Sequence, residues 1–320
     1  MTGKNTKHGS AGPRPQEDGP VLESCLLGPR QLSDLLSFAR DLAPDGPPAV
    51  APALLADRWR AAARLYRELE RSEAGCADAA EVLPLTGPQR RHVDRLIEVP
   101  AVRQTFDTVP VCFGWLPLDR LVVSQYSITR PNVDRMLAGL PRRPGKLALT
   151  RLCLPLEPQH PDLRLVSRSE REFVFVSPSH DVRFLGAVPL VPAQAGELPL
   201  PGHVGGLIGL GVGHSPNLLN VVRFGKRFVI NNGHHRAFAL QALGATHAPC
   251  LIQVCENGEE LDEAACSEIC RNADLYFESP RPPLLRDYLR PELTIDLPVR
   301  QQLRELVIRV EVQRRLLNTW

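Results

Sequence analysis

Lysine is nearly absent. Lys4, Lys7, Lys146 and Lys226 are the four lysines among 320 residues, and every other basic residue is arginine, a compositional bias that carries no function by itself. Charge of one sign is missing too. With 38 basic residues against 36 acidic ones the formal net charge is +2, so no excess exists for sequence-independent binding to phosphate backbones. That argues against a nucleic-acid coat protein. No run approaches the roughly 20 apolar residues of a membrane span; the longest uncharged, glycine-rich stretch, Val204 to Gly213, is too short and too flexible. Met1 to Pro20 lacks the charged and apolar halves of a secretory signal. A soluble, cytoplasmic protein with no membrane partner is expected. The cysteines, at positions 25, 76, 112, 153, 250, 255, 266 and 270, include no pair at the two-residue spacing of zinc ribbons or thioredoxin-like motifs. They read as buried thiols in a reducing compartment, although Cys266 and Cys270 could share a helical face and so serve a metal or redox role.

What is present is globular composition, 43% apolar and 23% charged, enough for a sizeable core. Residues 1–20 read as a tail without apolar periodicity. Residues 21–107 read as a helical region, with apolar residues at three- and four-residue spacing from Gln31 to Leu42 and from Ala53 to Arg71, and a third helix from Pro88 to about Phe106. From 108 to 256 the texture is that of a sheet: Val109 to Phe113, Leu121 to Gln125, Leu147 to Leu154, Glu172 to Val176 and Val182 to Val188 are short β-rich runs. Asn220 to Phe224 and Arg227 to Ile230 flank Gly225-Lys226, the spacing of a tight hairpin. Gly233 then opens a helix that Gly244 stops, and a strand follows at Pro249 to Val254. Residues 257–320 add a helix at Glu259 to Arg271, an irregular Pro-Arg segment from Pro280 to Pro291, and a strand with period-two alternation near Leu306 to Gln313.

The stretch that carries chemistry is Phe228-Val-Ile-Asn-Asn-Gly-His-His-Arg236. An apolar strand ends in a glycine at a helix start, where unpaired amides and the helix dipole favour an anion. Arg236, in the first turn, can clamp phosphate or carboxylate bidentately, and His234 and His235 add donors or a proton carrier. The architectural alternative is that Asn232 caps the helix, Gly233 permits a tight turn, and the histidines and Arg236 satisfy local carbonyls.

These residues resemble the ParB/sulfiredoxin superfamily, in which a strand leads to Gly-x-x-Arg at a helix start, then a Leu-Gly helix end and a proline-containing strand. The match is Gly233-His-His-Arg236, Leu243-Gly244, and Pro249 with Leu251 and Ile252. A weaker match, Leu118 to Arg130-Pro131, looks like the family's early segment, so the resemblance covers about Pro117 to Val254. It implies an α+β fold with a ParB/sulfiredoxin-like core of mixed sheet, carrying an insertion around 159–214 because about 100 residues separate Arg130 from Gly233. It further implies a nucleotide, ATP or CTP with Mg²⁺, whose phosphates contact Gly233, His234, His235 and Arg236, with Asn232 beside them and Arg130 as a second clamp. His235 would orient a phosphate or shuttle a proton.

Two departures bear on activity. Sulfiredoxins carry a reactive cysteine where this chain has His234, which disfavours sulfinic-acid reduction. Kinase-like members often carry an Asp before the glycine, where Asn232 cannot ionise, so phosphoryl transfer or hydrolysis needs a carboxylate from elsewhere, among them Asp119, Asp134, Glu170, Glu172 and Asp181. The acceptor is not specified. The competing function is a regulatory or interaction module that docks a protein partner through the helical region; a DNA-associated role comes third, since no helix-turn-helix follows the core.

Gly209-Leu-Gly-Val-Gly213 lacks the third glycine of a dinucleotide loop and reads as a close-packed turn. His160-x-Asp162 and Ser179-His180-Asp181 could bind metal or relay protons, or be polar loops. His214-Ser-Pro-Asn217 with Asn220 could line the Gly233 pocket, or be a solvated loop. Arg281-Pro-Pro-Leu-Leu-Arg286-Asp287 could lie over the site or a partner, or be a rigid surface strap.

Overall fold

The chain alternates helices and strands in an α+β arrangement, and the computed structural model describes residues 19–43, 49–78, 80–141, 143–157, 162–169, 171–179, 181–191 and 204–316. Most of the segment read as a tail, residues 1–18, lies outside the described residues. In chain order the first elements are β1 (Val21–Leu26), α1 (Leu32–Asp41), α2 (Pro52–Ser72), β2 (Leu83–Pro84), α3 (Pro88–Leu96) and α4 (Pro100–Thr105). Next come β3 (Val111–Pro117), β4 (Val122–Val123), β5 (Ser127–Thr129), α5 (Arg130–Ala138) and α6 (Lys146–Cys153). The strands β6 (Arg164–Ser169), β7 (Glu172–Ser177), β8 (Val182–Leu190) and β9 (Leu207–His214) follow. The last part holds β10 (Asn220–Phe224), β11 (Arg227–Asn232), α7 (His234–Ala242), β12 (His247–Cys255), α8 (Gly258–Ala264), α9 (Ser267–Arg271), β13 (Thr294–Val299) and β14 (Arg304–Arg309).

The central sheet has six strands in the order β2-β3-β12-β10-β11-β4 and is mixed: β10 runs parallel to β12 and antiparallel to β11, while β4 runs parallel to β11. Apolar runs in β10, β11 and β12 are buried along their length, as strands covered on both faces require. Helices α6 and α7 pack on one face, where Leu240, Leu251, Ile230 and Leu219 share the largest core cluster. On the other side Val122, Val222, Val229, Ile269 and Tyr276 form a second cluster. A third, around Leu35, Leu55, Ala62 and Leu297, joins α1 and α2 to the small sheet β13-β1-β5.

Several expectations are corrected. The helix expected from Glu259 to Arg271 is two, α8 and α9, parted at Ala265-Cys266, and strands β1 and β2 lie in the region read as helical. Leu147 to Leu154 is helix α6, not a strand: Thr150 and Cys153 are its buried residues, three apart, and a short apolar run does not distinguish the two periods. The helix expected from Pro88 to Phe106 is two helices, because Pro100 supplies no amide and Val99 before it is extended. Gly209 to Gly213 is not a turn but part of β9, whose glycines lie under β8, with Leu190 and Leu185 close enough that a Cβ at Gly209 or Gly213 would meet them at 3.2 and 3.0 Å. The expected hairpin, the helix after Gly233 and the strand after Pro249 are all present. Strands β6 to β9 lie outside the six-stranded sheet, in β14-β7-β6 and in the two-stranded β8-β9.

The Pro-Arg segment is a buried strap. Arg281, fully buried, pairs with Asp287 through both Nη atoms, at 2.7 and 2.5 Å, and Tyr66 donates to its carbonyl. Glu73, beyond the end of α2, accepts from Arg281, Arg286 and Arg290. Burial alone would raise the Glu73 carboxyl, but hydrogen bonds from Arg290 and Arg281 and the charge of Arg286 outweigh it and hold it at about 2, against 4.5 ordinarily. A carboxyl depressed on folding stabilises the native state above its ordinary range, and that contribution is lost as pH falls from about 4.5 towards 2. Thermal melts of wild type and Glu73→Gln should therefore differ at neutral pH and converge across this window. Parallel profiles would show that the strap does not depend on this charge.

Candidate phosphate-binding corner

Strand β11 delivers the corner. Phe228, Val229 and Ile230 are buried in the sheet, and the chain leaves it through Asn231 and Asn232 into Gly233, the N-cap of α7, at φ +94°. No side chain tolerates that dihedral well, and space forbids one as well: a Cβ would stand 2.8 Å from Leu219 Cα and 3.2 Å from the Leu218 carbonyl oxygen. Leu219 is itself fixed, donating to the Cys153 carbonyl of α6 at 2.7 Å and accepting from Leu251 of β12 at 3.0 Å. Gly233 is therefore turned against Leu218 and Leu219, just ahead of β10, and what the corner offers a ligand is the α7 first turn rather than the glycine. Helix α7 starts with the Gly233 carbonyl accepting from both Arg236 and Ala237.

The expected cap at Asn232 is absent: no side chain caps α7. Asn231 does different work, donating to the Ala264 carbonyl and accepting from the Cys266 amide, which pins the junction of α8 and α9 to the sheet. Asn220, opposite Asn232, donates to Gln253 at 2.8 Å, and its own carbonyl oxygen is buried without a hydrogen-bond partner among the described residues.

Both histidines reach across to the stretch from β4 to β5. His234, almost wholly buried, accepts the Ser124 amide at Nε2, 3.2 Å away, while the Ser124 hydroxyl spends its proton on the Ile230 carbonyl at 2.8 Å. Burial, with the charge of His235 adding to it, lowers His234 to about 3, so the ring is neutral near pH 7. Its Nε2 lone pair is taken by the Ser124 amide, and so low a basicity makes the ring a poor proton acceptor. His235 accepts the Thr129 amide at Nε2, 3.0 Å away. The adjacent pair thus acts as two clasps holding α7 to β4 and β5, and the proton-shuttle role expected of His235 would compete with this hydrogen bond.

Arg236 is different. The residue is 8% exposed, and its guanidinium donates to the Asn217 side-chain oxygen at 2.6 Å and forms no ion pair among the described residues. Burial lowers its pKa, and only the nearby Cys153 thiol opposes the shift. Arg130, expected as a second clamp, lies 5.5 Å above the Phe238 ring. Phe238 and Arg236 point about 160° apart around a helix of 3.6 residues per turn, so Arg130 and Arg236 serve different faces of α7.

Of the weaker patterns, Asn217 joins the corner through Arg236. Ser177 and His214 stand 3.2 Å apart beside Asp181, which accepts from Ser215, but Ser177 is fully buried and its hydroxyl has no access to a substrate. His160, Glu170 and His180 lie outside the described residues. Among the described residues no group of His, Cys, Asp and Glu is placed to hold a metal, Cys266 and Cys270 included, and no helix is long and apolar enough to cross a membrane. Sequence reasoning missed Ser124 and Thr129, whose contribution is backbone amide and leaves no mark on residue type. Comparison with protein-family models, with curated proteins and with solved structures finds no match in any of the three.

Proposed function

We propose that the chain binds the phosphate of a nucleotide at the first turn of α7, with Arg236 as the anion's main partner and Asn217 holding it in place. One observation carries this reading: a buried arginine, beside the positive end of a helix, with an amide but no carboxylate against its guanidinium among the described residues. A buried charge without a counter-charge is costly, and an arriving phosphate would remove that cost. The half-buried Asn232 supplies a further amide donor near the same strand end. ATP and CTP, with Mg²⁺ carried on the phosphates, are the ligands the sequence resemblance implies.

Binding without turnover is the better-supported form. The Nε2 atoms of His234 and His235 already accept the Ser124 and Thr129 amides. Of the candidate carboxylates, Glu172 pairs with Arg309, Asp181 with Arg183, and Asp119 and Asp134 are exposed. A nucleotide-responsive regulatory module needs only the clamp; a phosphotransferase or hydrolase needs a base these contacts do not provide. Equilibrium binding of labelled ATP and CTP with Mg²⁺ tests the proposal. Arg236→Lys keeps the charge and loses the planar fork, and should weaken binding roughly tenfold or more. Wild type that binds neither nucleotide, or a variant that binds as tightly, would remove the reading.

A further inference from the structure

The longest described helix carries a feature that the corner does not use. In α2, Arg60, Arg64, Arg67 and Arg71 follow one another at spacings of four, three and four, and all are exposed. At 3.6 residues per turn they fall within about 60° of arc and run about 16 Å along the axis. Their contacts within the chain are slight. Arg60 meets the exposed Asp57, Arg67 and Arg71 each reach a carbonyl one turn back, and Arg64 has no polar partner among the described residues. Like charges one turn apart cost a helix about 0.2–0.5 kcal/mol per pair, a cost that Asp57, Glu68 and Glu70 on the same helix offset in part.

The stripe borders a cleft. Three of its arginines, Arg60, Arg64 and Arg67, line a cavity of about 660 Å³ together with an apolar floor that includes Gly28, Trp59 and Tyr66, and with the half-buried Glu70. The floor is built: Trp59 donates to the Arg30 carbonyl at 2.7 Å, and a Cβ at Gly28 would stand 2.9 Å from the Tyr66 ring, so only glycine lets that ring close the base. A wall of cations beside an aromatic floor fits a ligand with carboxylates on one side and apolar side chains on the next.

We propose that this face of α2 docks an acidic amphipathic helix of a partner protein, its carboxylates at the same four-three-four spacing along the arginines and one or two large apolar side chains in the cleft. Charge complementarity selects this occupant. The chain's net charge of +2 gives no general attraction to nucleic acid, and the basic stripe is confined to one side of one helix. The proposal is independent of the nucleotide reading.

Fluorescence anisotropy of the full chain with a labelled helical peptide, carrying Glu at that spacing beside Leu and Phe, tests it. Saturable binding that weakens with salt is expected. It should fall roughly tenfold or more when Gln replaces Glu in the peptide or when Arg64→Glu and Arg67→Glu are combined, and stay unchanged in Arg103→Glu, an exposed charge reversal on α4. Glu at 64 and 67 breaks up the row of arginines but stands one turn from Glu68 and Glu70, so a melt and circular dichroism of the double variant check that it keeps the fold. No binding, or equal binding to the Gln peptide or by the double variant, overturns the proposal. So does tighter binding of a DNA oligonucleotide or of anionic lipid vesicles that the double variant loses, which would assign the stripe to phosphates. Self-association abolished by the same variant would assign it to a second copy.

Discussion

Gly233→Ala is expected to lower the free energy of unfolding by about 3–5 kcal/mol, the sum of a strained left-handed backbone and a forced displacement of Leu219. Two separate facts set this size. The dihedral, φ +94°, penalises any side chain, and the nearest atoms to an added Cβ are backbone, Leu219 Cα at 2.8 Å, which cannot swing away as a flexible side-chain end would. Gly225→Ala, in the β10–β11 turn, separates the two: its φ is +59° but nothing lies within 4 Å, so it should lose only about 1–2 kcal/mol. Denaturant titrations of both variants read the difference directly. Equal losses would show that the approach to Leu219 carries no energy. The consequence reaches the corner, because a displaced Gly233 moves His234 and His235 off the Ser124 and Thr129 amides they accept.

The elements nearest the corner were legible because each has a local cause. Gly225 and Gly244, both at positive φ, mark the hairpin and the end of α7, and the apolar runs between them leave no other assignment. Helices α1 and α2 followed from periodicity for the same reason. What was not legible depends on partners distant in sequence. Strand β1 lies in a stretch read as helical because its hydrogen bonds go to β13 and β5, more than 100 residues away, and β13 itself gave no signal. Helix α6 was misread because a short apolar segment looks alike in either period. At the corner, residue types announced a cation and a helix start, and both are there. They could not announce that the two histidines would be consumed as acceptors, because the Ser124 and Thr129 amides that consume them are present at every non-proline position of any chain.

Asn217→Asp is expected to weaken ATP and CTP binding roughly 100-fold while raising thermal stability. The side chains are nearly isosteric, and Asn217 already places an oxygen 2.6 Å from Arg236 Nη1, so the substitution supplies in the chain itself the counter-charge that the guanidinium lacks among the described residues. A charge-assisted hydrogen bond is worth about 1.5–3 kcal/mol, part of which is spent on desolvating the new carboxylate. The same carboxylate occupies the electrostatic place of the phosphate and repels it, so affinity must fall if Arg236 is the anion's main partner. These two effects have opposite signs, which is what makes the variant informative. A structural role for Arg236 alone predicts the gain in stability and leaves nucleotide binding where it was. Titration calorimetry and a thermal melt on one preparation report both quantities, and a variant that melts higher yet still binds nucleotide as wild type does would place the phosphate elsewhere on the molecule.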